Sequence, residues 1–364
     1  MKISFVVPEL NFGGGTRVIS IYAHELRRRG HEVLVIIWPP RALSLRARLR
    51  SLLRHRRLLK RDPRNWHFEK GEIPIKRLRA GKPMRDSDVP DADVVIATWW
   101  ETAAPVAALG KSKGAKVYYM QDYGAPGQEL ERLRPTWRLP FHFITLAEWL
   151  VGLIQAEQPA APVTLANCAV DTDLFHSDPR GRQLKPRVGV LYRSMHSKGG
   201  DLALAAFELA REVRPDLELL MVSHEPPPAV LPTGATYCHG ITDEQLRDIY
   251  ASCDAWLFPS RLEGFGLPIV EAMACRTPVI ATPAGAAPEL LRTGGGIMVP
   301  PDDPREMANA ILRVLGMSEQ EWKELSTAAY ERVQSYRWTD AADIFERALK
   351  QAARAHGGTA GLST

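Results

Sequence analysis

The chain has 364 residues, which is long for one hydrophobic core and enough for two domains of ordinary size. With 45% hydrophobic and 24% charged residues, the composition is that of a folded globular protein and excludes wholesale disorder. The formal net charge is +5, and the positive excess is concentrated in one segment rather than spread along the chain.

The sequence predicts no membrane span, secretion signal or disulfide framework. No apolar run approaches the roughly 20 residues that a spanning helix requires, and the chain opens on a strand-like segment without signal-peptide organisation. The cysteines have neither CxxC pairing nor zinc-ligand spacing, so we expect free thiols at Cys168, Cys238, Cys253 and Cys275. These features predict a cytoplasmic protein, either free or bound peripherally at the inner face of the cell membrane.

Short apolar strands alternate with amphipathic helices in the first half of the chain. This alternation is typical of a parallel sheet that helices cover on both faces. In chain order we predict strand 2–7, helix 16–29, strand 32–38, strand 93–98, helix 101–109, strand 116–120, strand 142–146 and helix 147–157.

One segment, 41–61, interrupts this pattern. It holds nine Arg or Lys residues and no acid, and its leucines recur at helical spacing at Leu45, Leu49, Leu52 and Leu53. A basic amphipathic helix of this kind suits an anionic membrane surface. The alternative is a solvated insertion whose leucines pack on the N-terminal domain. We do not expect a nucleic-acid partner, because no recognised binding motif accompanies the charge.

The pattern restarts after a polar stretch, which predicts a second α/β domain. We expect an N-terminal domain at 1–172, a linker at 173–186, a C-terminal domain at 187–338, and a last helix within 339–364 that crosses back to the N-terminal domain. The predicted strands are 188–192, 217–223, 236–238, 255–259 and 279–282. The predicted helices are 201–213, 244–252, 267–275, 306–315, 319–333 and 341–355. The fold class is therefore α/β with two Rossmann-like halves.

A glycine-rich loop, NFGGGTR at 11–17, follows the first strand and opens the first helix. Consecutive glycines let backbone N–H groups approach a ligand, and a helix N-terminus favours an anion. The loop has neither GxGxxG spacing nor a Gly-Lys-Ser/Thr ending, so neither a dinucleotide fingerprint nor a Walker loop is present. A tight structural turn would have the same composition.

A second loop, YRSMHSKGG at 192–200, follows the first strand of the second half. Its cations Arg193 and Lys198 come at the strand end where open α/β sheets bind ligands. An Arg fork and a Lys point charge together suit a diphosphate. The alternative is a pair of ordinary exposed loop cations, and we interpret His196 between them as incidental.

A third stretch, EGFGLPIVEA at 263–272, joins a buried strand to a helix. Gly264 and Gly266 permit a tight bend, and Pro268 suits the first turn of a helix. The bend and the helix start present N–H groups to an anion. Glu263 and Glu271 lie on either side and can accept hydrogen bonds from hydroxyls, which predicts a ligand site rather than a simple turn.

The E-x7-E spacing of Glu263 and Glu271 resembles the signature of the retaining glycosyltransferases of family four. That family has the GT-B fold, two Rossmann-like domains that face each other across a donor cleft. Other segments follow in the family's order: GGGTR at 13–17, NCAVDTDLF at 167–175, R-x4-K-G at 193–199, HGITDEQLRDIYASCD at 239–254 and PAGAAPEL at 283–290. The likeness is specific in the second half of the chain and weaker in the first.

The resemblance implies a role for each matching position. Arg193 and Lys198 would bind the donor diphosphate and stabilise its departing charge, while Glu263 would contact hydroxyls of the donor sugar. Glu271 would accept the ribose hydroxyls. The other implied donor-binding positions are in the glycine loop, near the base and in the bend: Gly14, Gly15, Gly240, Ile241, Gly264, Phe265, Gly266 and Leu267.

Acceptor recognition is expected in the N-terminal half. Trp99, Trp100 and Glu101 follow a predicted strand, and an aromatic ring beside a carboxylate suits a sugar, although the aromatics could instead belong to the core. The family often has a histidine after another N-terminal strand, near the reacting sugar carbon, and this chain has MQDYG at the comparable place. The acceptor-side candidates there are Gln121, Asp122 and Tyr123. A second departure is Cys168–Ala169, where the family has a glycine.

We therefore expect a retaining, metal-independent and cofactor-free hexosyl- or deoxyhexosyltransferase. It would use a nucleotide-diphosphate sugar and a glycan or lipid-linked acceptor at an anionic membrane. The alternatives are a sugar-nucleotide epimerase on the same scaffold and a non-catalytic protein that binds membranes or polyanions. The base, the sugar, the linkage and the oligomeric state stay open.

Overall fold

The computed structural model describes residues 1–11, 13–39, 67–68, 71–122, 130–228 and 230–360. The basic segment 41–61 and Tyr123 lie outside the described residues. The chain divides into two compact units. Unit 1 comprises Met1–Leu146, Leu150–Ala166 and Ala342–Thr364, and unit 2 comprises Ala147–Trp149 and Asn167–Ala341.

Unit 1 contains a parallel sheet of seven strands. They are β1 (Lys2–Val7), β2 (Glu32–Ile37), β3 (Ile75–Arg77), β4 (Val94–Ala97), β5 (Ala115–Met120), β6 (His142–Thr145) and β7 (Val163–Leu165). Their order is β3-β2-β1-β4-β5-β6-β7, and every neighbouring pair is parallel. The described α-helices among the first 166 residues are α1 (Gly14–Arg28), α2 (Trp100–Ala107), α3 (Leu130–Trp137) and α4 (Glu148–Glu157), and the first two residues of α4 belong to unit 2.

Burial on both faces explains why the central strands of this sheet are apolar throughout. All four residues of β4 are buried, as are five of the six in β1. Helix α1 covers one face with an apolar stripe at helical spacing that includes Val18, Tyr22 and Leu26. The Tyr22 ring stacks on Phe345 of the last helix with 4.3 Å between ring centroids.

Unit 2 contains a second parallel sheet, of six strands. They are β8 (Arg187–Leu191), β9 (Glu218–Ser223), β10 (Ala235–His239), β11 (Ala255–Phe258), β12 (Val279–Ala281) and β13 (Gly296–Met298), in the order β10-β9-β8-β11-β12-β13. Its helices are α5 (Gly200–Val213), α6 (Asp243–Ala251), α7 (Leu267–Ala274), α8 (Ala287–Leu290), α9 (Pro304–Gly316) and α10 (Glu319–Val333). The core joins the strands to α5 and α9, with Phe207 and Ile311 fully buried.

The strand order reverses once in each sheet. In unit 1 the chain runs outward from β1 to β3 and then returns to place β4 on the other side of β1. In unit 2 it runs outward from β8 to β10 and returns to place β11 beside β8. Ligands of open α/β sheets bind at such switch points, beyond the carboxyl ends of the strands.

The last helix, α11 (Trp338–Ala360), extends from unit 2 residues into unit 1. In unit 1, Glu346 accepts hydrogen bonds from Arg29 (Nη1–Oε2, 2.9 Å) and pairs with His31 (Nε2–Oε1, 3.0 Å). The predicted helix started at 341, whereas the structure starts it at Trp338. Residues 342–364, which we expected to return to the N-terminal domain, are assigned to unit 1.

The predicted boundary after residue 172 moves to Ala166. Ala166 still donates its N–H to Thr145 of β6, whereas Val170 donates to Tyr336 in unit 2. The predicted linker 173–186 packs on unit 2, because Arg180 donates to the Cys253 carbonyl oxygen and to Thr277. It is therefore part of the second unit rather than a free connection.

Among the described residues, five short strands and α-helices are absent from the sequence prediction: β3, β7, β13, α3 and α8. The three strands have three residues each and are not fully buried, so they lack the apolar run that a buried strand shows. The other predicted strands and helices are present, with ends shifted by up to five residues. Among the described helices, none combines the length and apolarity needed to cross a membrane.

Candidate active site

The loop that carries Arg193 and Lys198 follows β8 and comes very close to the end of β11. Gly199 adopts the left-handed conformation (φ 65°, ψ 23°), and a Cβ atom there would lie 1.9 Å from the Pro259 carbonyl oxygen. Only glycine satisfies both conditions without a backbone shift. The Lys-Gly pair of the R-x4-K-G segment therefore has a structural cause, the close approach of the two loops.

Lys198 and Glu263, predicted from separate loops, form an ion pair. The Lys198 ammonium lies 2.9 Å from Glu263 Oε1 and also donates to the Leu262 carbonyl oxygen at 3.4 Å. The Ser260 hydroxyl donates to the same Glu263 oxygen at 3.1 Å. These contacts hold the carboxylate beside the ammonium and fix the position of both.

Arg193 is different, because within the described residues its guanidinium has no hydrogen-bond or ion-pair partner. Its charge lowers the pKa of His224, although burial of that imidazole is the larger cause. Lys198 is paired with Glu263, and Glu225 lies beside the same loop, where it accepts the Ser194 N–H at 2.9 Å. Arg193 is therefore the candidate cation without a paired carboxylate in the described part of the chain. This arrangement suits an anionic ligand.

The bend after Glu263 is held in shape by two hydrogen bonds and by the backbone conformation of a glycine. Gly266 caps α7 in a left-handed conformation (φ 101°), where a side chain would meet the Phe258 ring at 2.8 Å. The Phe265 carbonyl oxygen accepts the Ala286 N–H at 2.8 Å. The Trp149 indole N–H donates to the Gly264 carbonyl oxygen at 2.9 Å. The carbonyl oxygens of the bend are thereby tied back into unit 2.

The N–H groups of the bend have no such ties. Within the described part of the chain, the backbone N–H groups of Gly264, Phe265, Gly266 and Leu267 have no acceptor, and no side chain caps α7. Pro268 at the start of α7 has no N–H to satisfy. Unpaired amides at a helix N-terminus form an anion-binding arrangement.

Glu271 lies one turn into α7 and is 5% exposed. Its Oε2 accepts a hydrogen bond from the buried Tyr250 hydroxyl at 2.9 Å. This contact, which the sequence did not reveal, orients the carboxylate from behind. Glu271 is thus a fixed acceptor rather than a mobile acid.

Gly240 and Ile241 follow β10 at the same sheet edge. Gly240 has φ 64°, and a Cβ atom there would have no neighbour within 4 Å, so the backbone borders open space. Ile241 is half-buried. The positions assigned to the nucleotide base are therefore accessible.

Sequence reasoning missed two residues that organise this unit. The Arg261 guanidinium pairs in bidentate fashion with Asp201 (2.8 and 2.9 Å), and this contact lowers the pKa of Asp201. Glu289 is buried and accepts the Glu148 N–H (2.9 Å) and the Asn167 side-chain amide (3.1 Å). Neither contact has a sequence signal, because the partners are far apart in the chain.

In unit 1 the glycine loop caps α1 without a charged side chain. The Asn11 side chain accepts the Gly13 N–H at 2.7 Å and the Thr16 hydroxyl at 3.2 Å. Gly14 and Gly15, the first residues of α1, are exposed. The loop therefore presents the start of a 15-residue helix to solvent.

Gln121 follows β5 and lies against this loop, since a Cβ atom on Gly15 would meet Gln121 Oε1 at 2.7 Å. The side chain is 8% exposed, and its Nε2 has no hydrogen-bond partner within the described residues. An unsatisfied buried amide is rare and calls for a partner. Asp122 beside it is half-exposed and Tyr123 is not described, so the structure brings Gln121 to the glycine loop.

Trp99, Trp100 and Glu101 stand at the start of α2, directly after β4. All three are half-buried, and neither tryptophan belongs to the buried core. Thr102 fixes this turn by donating its hydroxyl to the Trp99 carbonyl oxygen at 2.7 Å. Since β1, β4 and β5 are neighbours, the three candidate loops of unit 1 share one sheet edge at its switch point.

No cluster of three or more metal-ligating side chains occurs in the part of the chain that the structure describes. All four cysteines are free, and burial raises the pKa of the Cys253 thiol to about 12. Such a thiol stays protonated near neutral pH and is a poor nucleophile.

Comparison with known proteins finds a family likeness in the second unit. The family model "Glycosyl transferases group 1" matches residues 185–317, about a third of the chain. The matched segment contains both candidate cations and both glutamates, whereas the glycine loop and the acceptor-side candidates lie outside it.

Curated relatives match only parts of the chain. The MMP alpha-(1->4)-mannosyltransferase of Mycolicibacterium hassiacum is 32% identical over 203 residues, which are 50% of this chain and 48% of the relative. The O-antigen chain mannosyltransferase B of Escherichia coli is 36% identical over 92 residues, 25% of this chain and 23% of the relative. The chain thus spans half or less of the length of these relatives.

Solved structures match nearly the whole chain in fold. Sucrose-phosphate synthase from Thermosynechococcus elongatus has a TM-score of 0.73 at 18% identity and covers 97% of this chain and 99% of its own. Anabaena HepE in complex with UDP-glucose has a TM-score of 0.73 at 19% identity, with 96% and 100% covered. The predicted fold class, α/β of the GT-B type with two Rossmann-like domains, is confirmed.

Proposed function

We propose that the protein is a retaining glycosyltransferase that moves a hexose or deoxyhexose from a nucleotide-diphosphate sugar to a glycan or lipid-linked acceptor. One observation carries the proposal. Arg193, Lys198 and the free amides of the bend at 264–267 lie at the switch point of one sheet, inside the segment that the group 1 family matches. Glu263 and Glu271 border the same bend.

The proposed chemistry is stabilisation of a leaving group. As the bond between sugar and phosphate breaks, the sugar becomes oxocarbenium-like and negative charge collects on the diphosphate. Arg193 and Lys198 would meet that charge with fixed donors, and the α7 N-terminus adds its amides. Fixed donors of this type each contribute roughly 10²- to 10³-fold to a rate.

The two glutamates would act as acceptors for hydroxyl groups rather than as a nucleophile and an acid. Glu263 is held by Lys198 and Ser260, and its Oε2 has no partner within the described residues, so it can accept a sugar hydroxyl. Glu271 is held by Tyr250 and would accept the ribose hydroxyls. Retention would follow from attack on the face that the diphosphate leaves, with a phosphate oxygen taking the acceptor's proton.

We propose that transfer does not depend on a metal ion, because side-chain cations and amides can supply the charge that a divalent ion supplies in other transferases. Turnover that is unchanged by a chelator would support this assignment. Turnover that falls with the chelator and returns with Mg²⁺ or Mn²⁺ would contradict it.

We propose that the transferred sugar is a hexose, because the curated relatives include mannosyltransferases and HepE was solved with UDP-glucose. Gly240 and Ile241 would border the base. The acceptor would contact unit 1, where Trp99 and Trp100 offer half-exposed rings beside Glu101. Gln121 would donate its unsatisfied amide to a substrate oxygen.

The proposed membrane contact rests on the basic segment 41–61 and on a second group of cations that the structure describes. After β2 and the basic segment, the edge strand β3 and the loop that follows it expose Lys76, Arg77, Arg79, Lys82 and Arg85. Clusters of this kind bind anionic lipid headgroups. The protein would then act at the inner face of a membrane that carries its acceptor.

A donor panel tests the transfer proposal. Thermal unfolding with UDP, GDP, ADP and dTDP identifies the nucleotide, and the matching nucleotide sugars are then incubated with glycan and lipid-linked acceptors. We expect a glycosylated acceptor and free nucleoside diphosphate by mass spectrometry. An epimerised donor without transfer would assign an epimerase, and the absence of nucleotide binding would favour a non-catalytic protein.

Liposome flotation tests the membrane proposal separately. The wild-type protein should float with vesicles that contain anionic lipid and stay behind with neutral vesicles. A variant in which the cations of 41–61 are replaced by Gln should lose flotation, whereas a variant with Arg211 and Arg214 of unit 2 replaced should keep it. Equal flotation of all three proteins would contradict a role of 41–61 in membrane contact, and no flotation of the wild-type protein would contradict membrane contact itself.

A further inference from the structure

Arg261 lies between the two loops that carry the candidate catalytic side chains. It follows β11 by three residues, and its side chain is 16% exposed. Its guanidinium donates to the His196 carbonyl oxygen (2.7 Å), to both oxygens of Asp201 and to Asp302 Oδ1 (2.5 Å). Four of the five N–H groups of the side chain are therefore used.

Backbone hydrogen bonds also join the loop before Glu263 to the loop that carries Lys198. The N–H groups of Arg261 and Leu262 both donate to the Ser197 carbonyl oxygen, at 2.9 and 3.1 Å. Ser197 precedes Lys198, and Leu262 precedes Glu263. These two backbone contacts therefore lie within two residues of both partners of the Lys198–Glu263 ion pair.

A third loop joins at Asp302, after β13. Asp302 has φ 56°, a left-handed conformation that is uncommon outside glycine but tolerated by Asp. That conformation accompanies the contact between its carboxylate and Arg261. Three loops at the carboxyl edge of the unit 2 sheet thus converge on a single guanidinium.

An ordinary surface ion pair would not explain this arrangement. Exposed pairs contribute little and hold nothing else in place. Arg261 combines a bidentate carboxylate contact with a backbone carbonyl contact, a geometry that lysine cannot reproduce. Its own side chain is 16% exposed, while the Asp201 and Asp302 side chains are 59% and 62% exposed. A guanidinium used in this way fixes distances between loops.

We propose that Arg261 is a positioning residue that sets the separation of Lys198 and Glu263, and through it the placement of Lys198 against the leaving diphosphate. The inference rests on the proposed function, because it assigns Arg261 a role in that same donor site. Arg261 itself does not contact the substrate in this account. Its effect passes through the loops at 196–201 and 260–263.

A positioning role predicts an effect on turnover rather than on donor binding. A misplaced Lys198 still attracts a diphosphate, but it no longer meets the charge that develops as the bond breaks. Arg261→Gln should lower kcat about 10- to 100-fold, the range expected for a displacement near 1 Å. The donor KM and the Kd for the nucleoside diphosphate should change less than about threefold.

The test compares kcat, donor KM and nucleoside diphosphate Kd across four variants of the full chain. Arg261→Lys keeps the charge without the fork and should recover only part of kcat. Asp302→Asn, at a side chain that is 62% exposed, should fold normally and lower kcat by a smaller factor. Arg214→Gln, a surface arginine paired with Asp216, is the matched control and should behave as wild type.

The results distinguish failure of the positioning role of Arg261 from failure of the proposed glycosyltransferase function. Wild-type kcat in Arg261→Gln, or full recovery in Arg261→Lys, would overturn the positioning role while leaving glycosyl transfer intact. A loss confined to Kd and KM would make Arg261 a binding residue and also overturn it. If Arg261→Gln fails to fold, Asp302→Asn decides, and wild-type kcat there counts against the inference. Absence of transfer by the wild-type protein would instead contradict the proposed function.

Discussion

The ammonium of Lys198 and the carboxylate of Glu263 lie 2.9 Å apart, so each reduces the charge that the other presents to a ligand. Arg193 has no such partner within the described residues, so no carboxylate pairs with its guanidinium there. Lys198 still has a donor available, because an ammonium has three N–H groups. The two cations are therefore unequal before any substrate binds.

Replacing Glu263 should separate ground-state binding from turnover. In Glu263→Gln the Lys198 charge is no longer compensated, so a nucleoside diphosphate should bind several-fold more tightly. Transfer should fall by roughly 10- to 100-fold or more, because the acceptor for the sugar hydroxyl is weakened. Calorimetry and initial rates measure the two effects.

Glu306→Gln, at an exposed position on α9, is the control for Glu263→Gln and should change neither quantity. Weaker diphosphate binding by Glu263→Gln would contradict the compensation that the ion pair implies. Unchanged turnover would show that the Glu263 carboxylate does not contact the donor sugar.

Gly199 offers a second prediction at the scale of single residues. An Ala side chain there would be strained by φ 65° and would meet the Pro259 carbonyl oxygen at 1.9 Å, so Gly199→Ala should lower the free energy of unfolding by more than 1 kcal/mol. Gly152 in helix α4 has no neighbour within 4 Å of a Cβ atom. Gly152→Ala should therefore stabilise the protein by about 0.5–1 kcal/mol.

Chemical denaturation measures the free energy of unfolding of both variants, which should fall in Gly199→Ala and rise in Gly152→Ala. Equal stability of Gly199→Ala and the wild type would mean that the loops at 193–199 and 259–263 are not in close contact. If Gly152→Ala also lowered the free energy of unfolding, the loss in Gly199→Ala could not be attributed to the backbone conformation and close contact at Gly199.

At the scale of elements, α11 is held on unit 1 by a cluster of charges. Arg29 and His31 contact the Glu346 carboxylate from outside the helix, and Lys350 contacts it from within α11. Together they lower the pKa of Glu346 to about 2, with the Lys350 hydrogen bond as the largest cause. A carboxyl group with a lowered folded-state pKa stabilises the fold above its unfolded value, which is near 4.5. That contribution is lost as the pH falls through about 2.

Glu346→Gln should therefore lower the Tm by about 2–4 °C at pH 7, as expected for a loss on the order of 1 kcal/mol. The difference from wild type should narrow as the pH falls from about 4.5 to about 2. Scanning calorimetry across that range measures it, with the exposed Glu331→Gln as a control. A difference that is constant with pH would contradict the ion-pair origin.

Elements with a strong apolar period were predictable from the sequence, and contact-dependent features were not. The buried strands β1, β4 and β11 and the helices α1 and α10 follow from apolar runs and helical spacing. Strands β3, β7 and β13 consist of three residues each and have no such run. Arg261 was missed because its significance depends on the His196 carbonyl oxygen and on Asp302, which lie 65 and 41 residues away in the chain.

At the scale of the whole molecule, the two units differ in what their sequences reveal. The candidate donor residues of unit 2 could be proposed from the sequence because Arg193, Lys198, Glu263 and Glu271 have recognisable spacings within the segment that the family model matches. In unit 1 the sequence named Gln121, Asp122 and Tyr123 without choosing among them. The packing of Gln121 against Gly15 and its unsatisfied amide favour Gln121, and neither is visible in the sequence.

The central claim is that positive charge at one sheet edge drives glycosyl transfer by stabilising a departing diphosphate. The most direct measurement is kcat for transfer from the identified nucleotide sugar by the wild-type protein and by the Arg193→Ala, Lys198→Ala double variant. We expect a loss of at least about 10³-fold, since two fixed donors are removed. Wild-type kcat in a folded double variant would contradict the account.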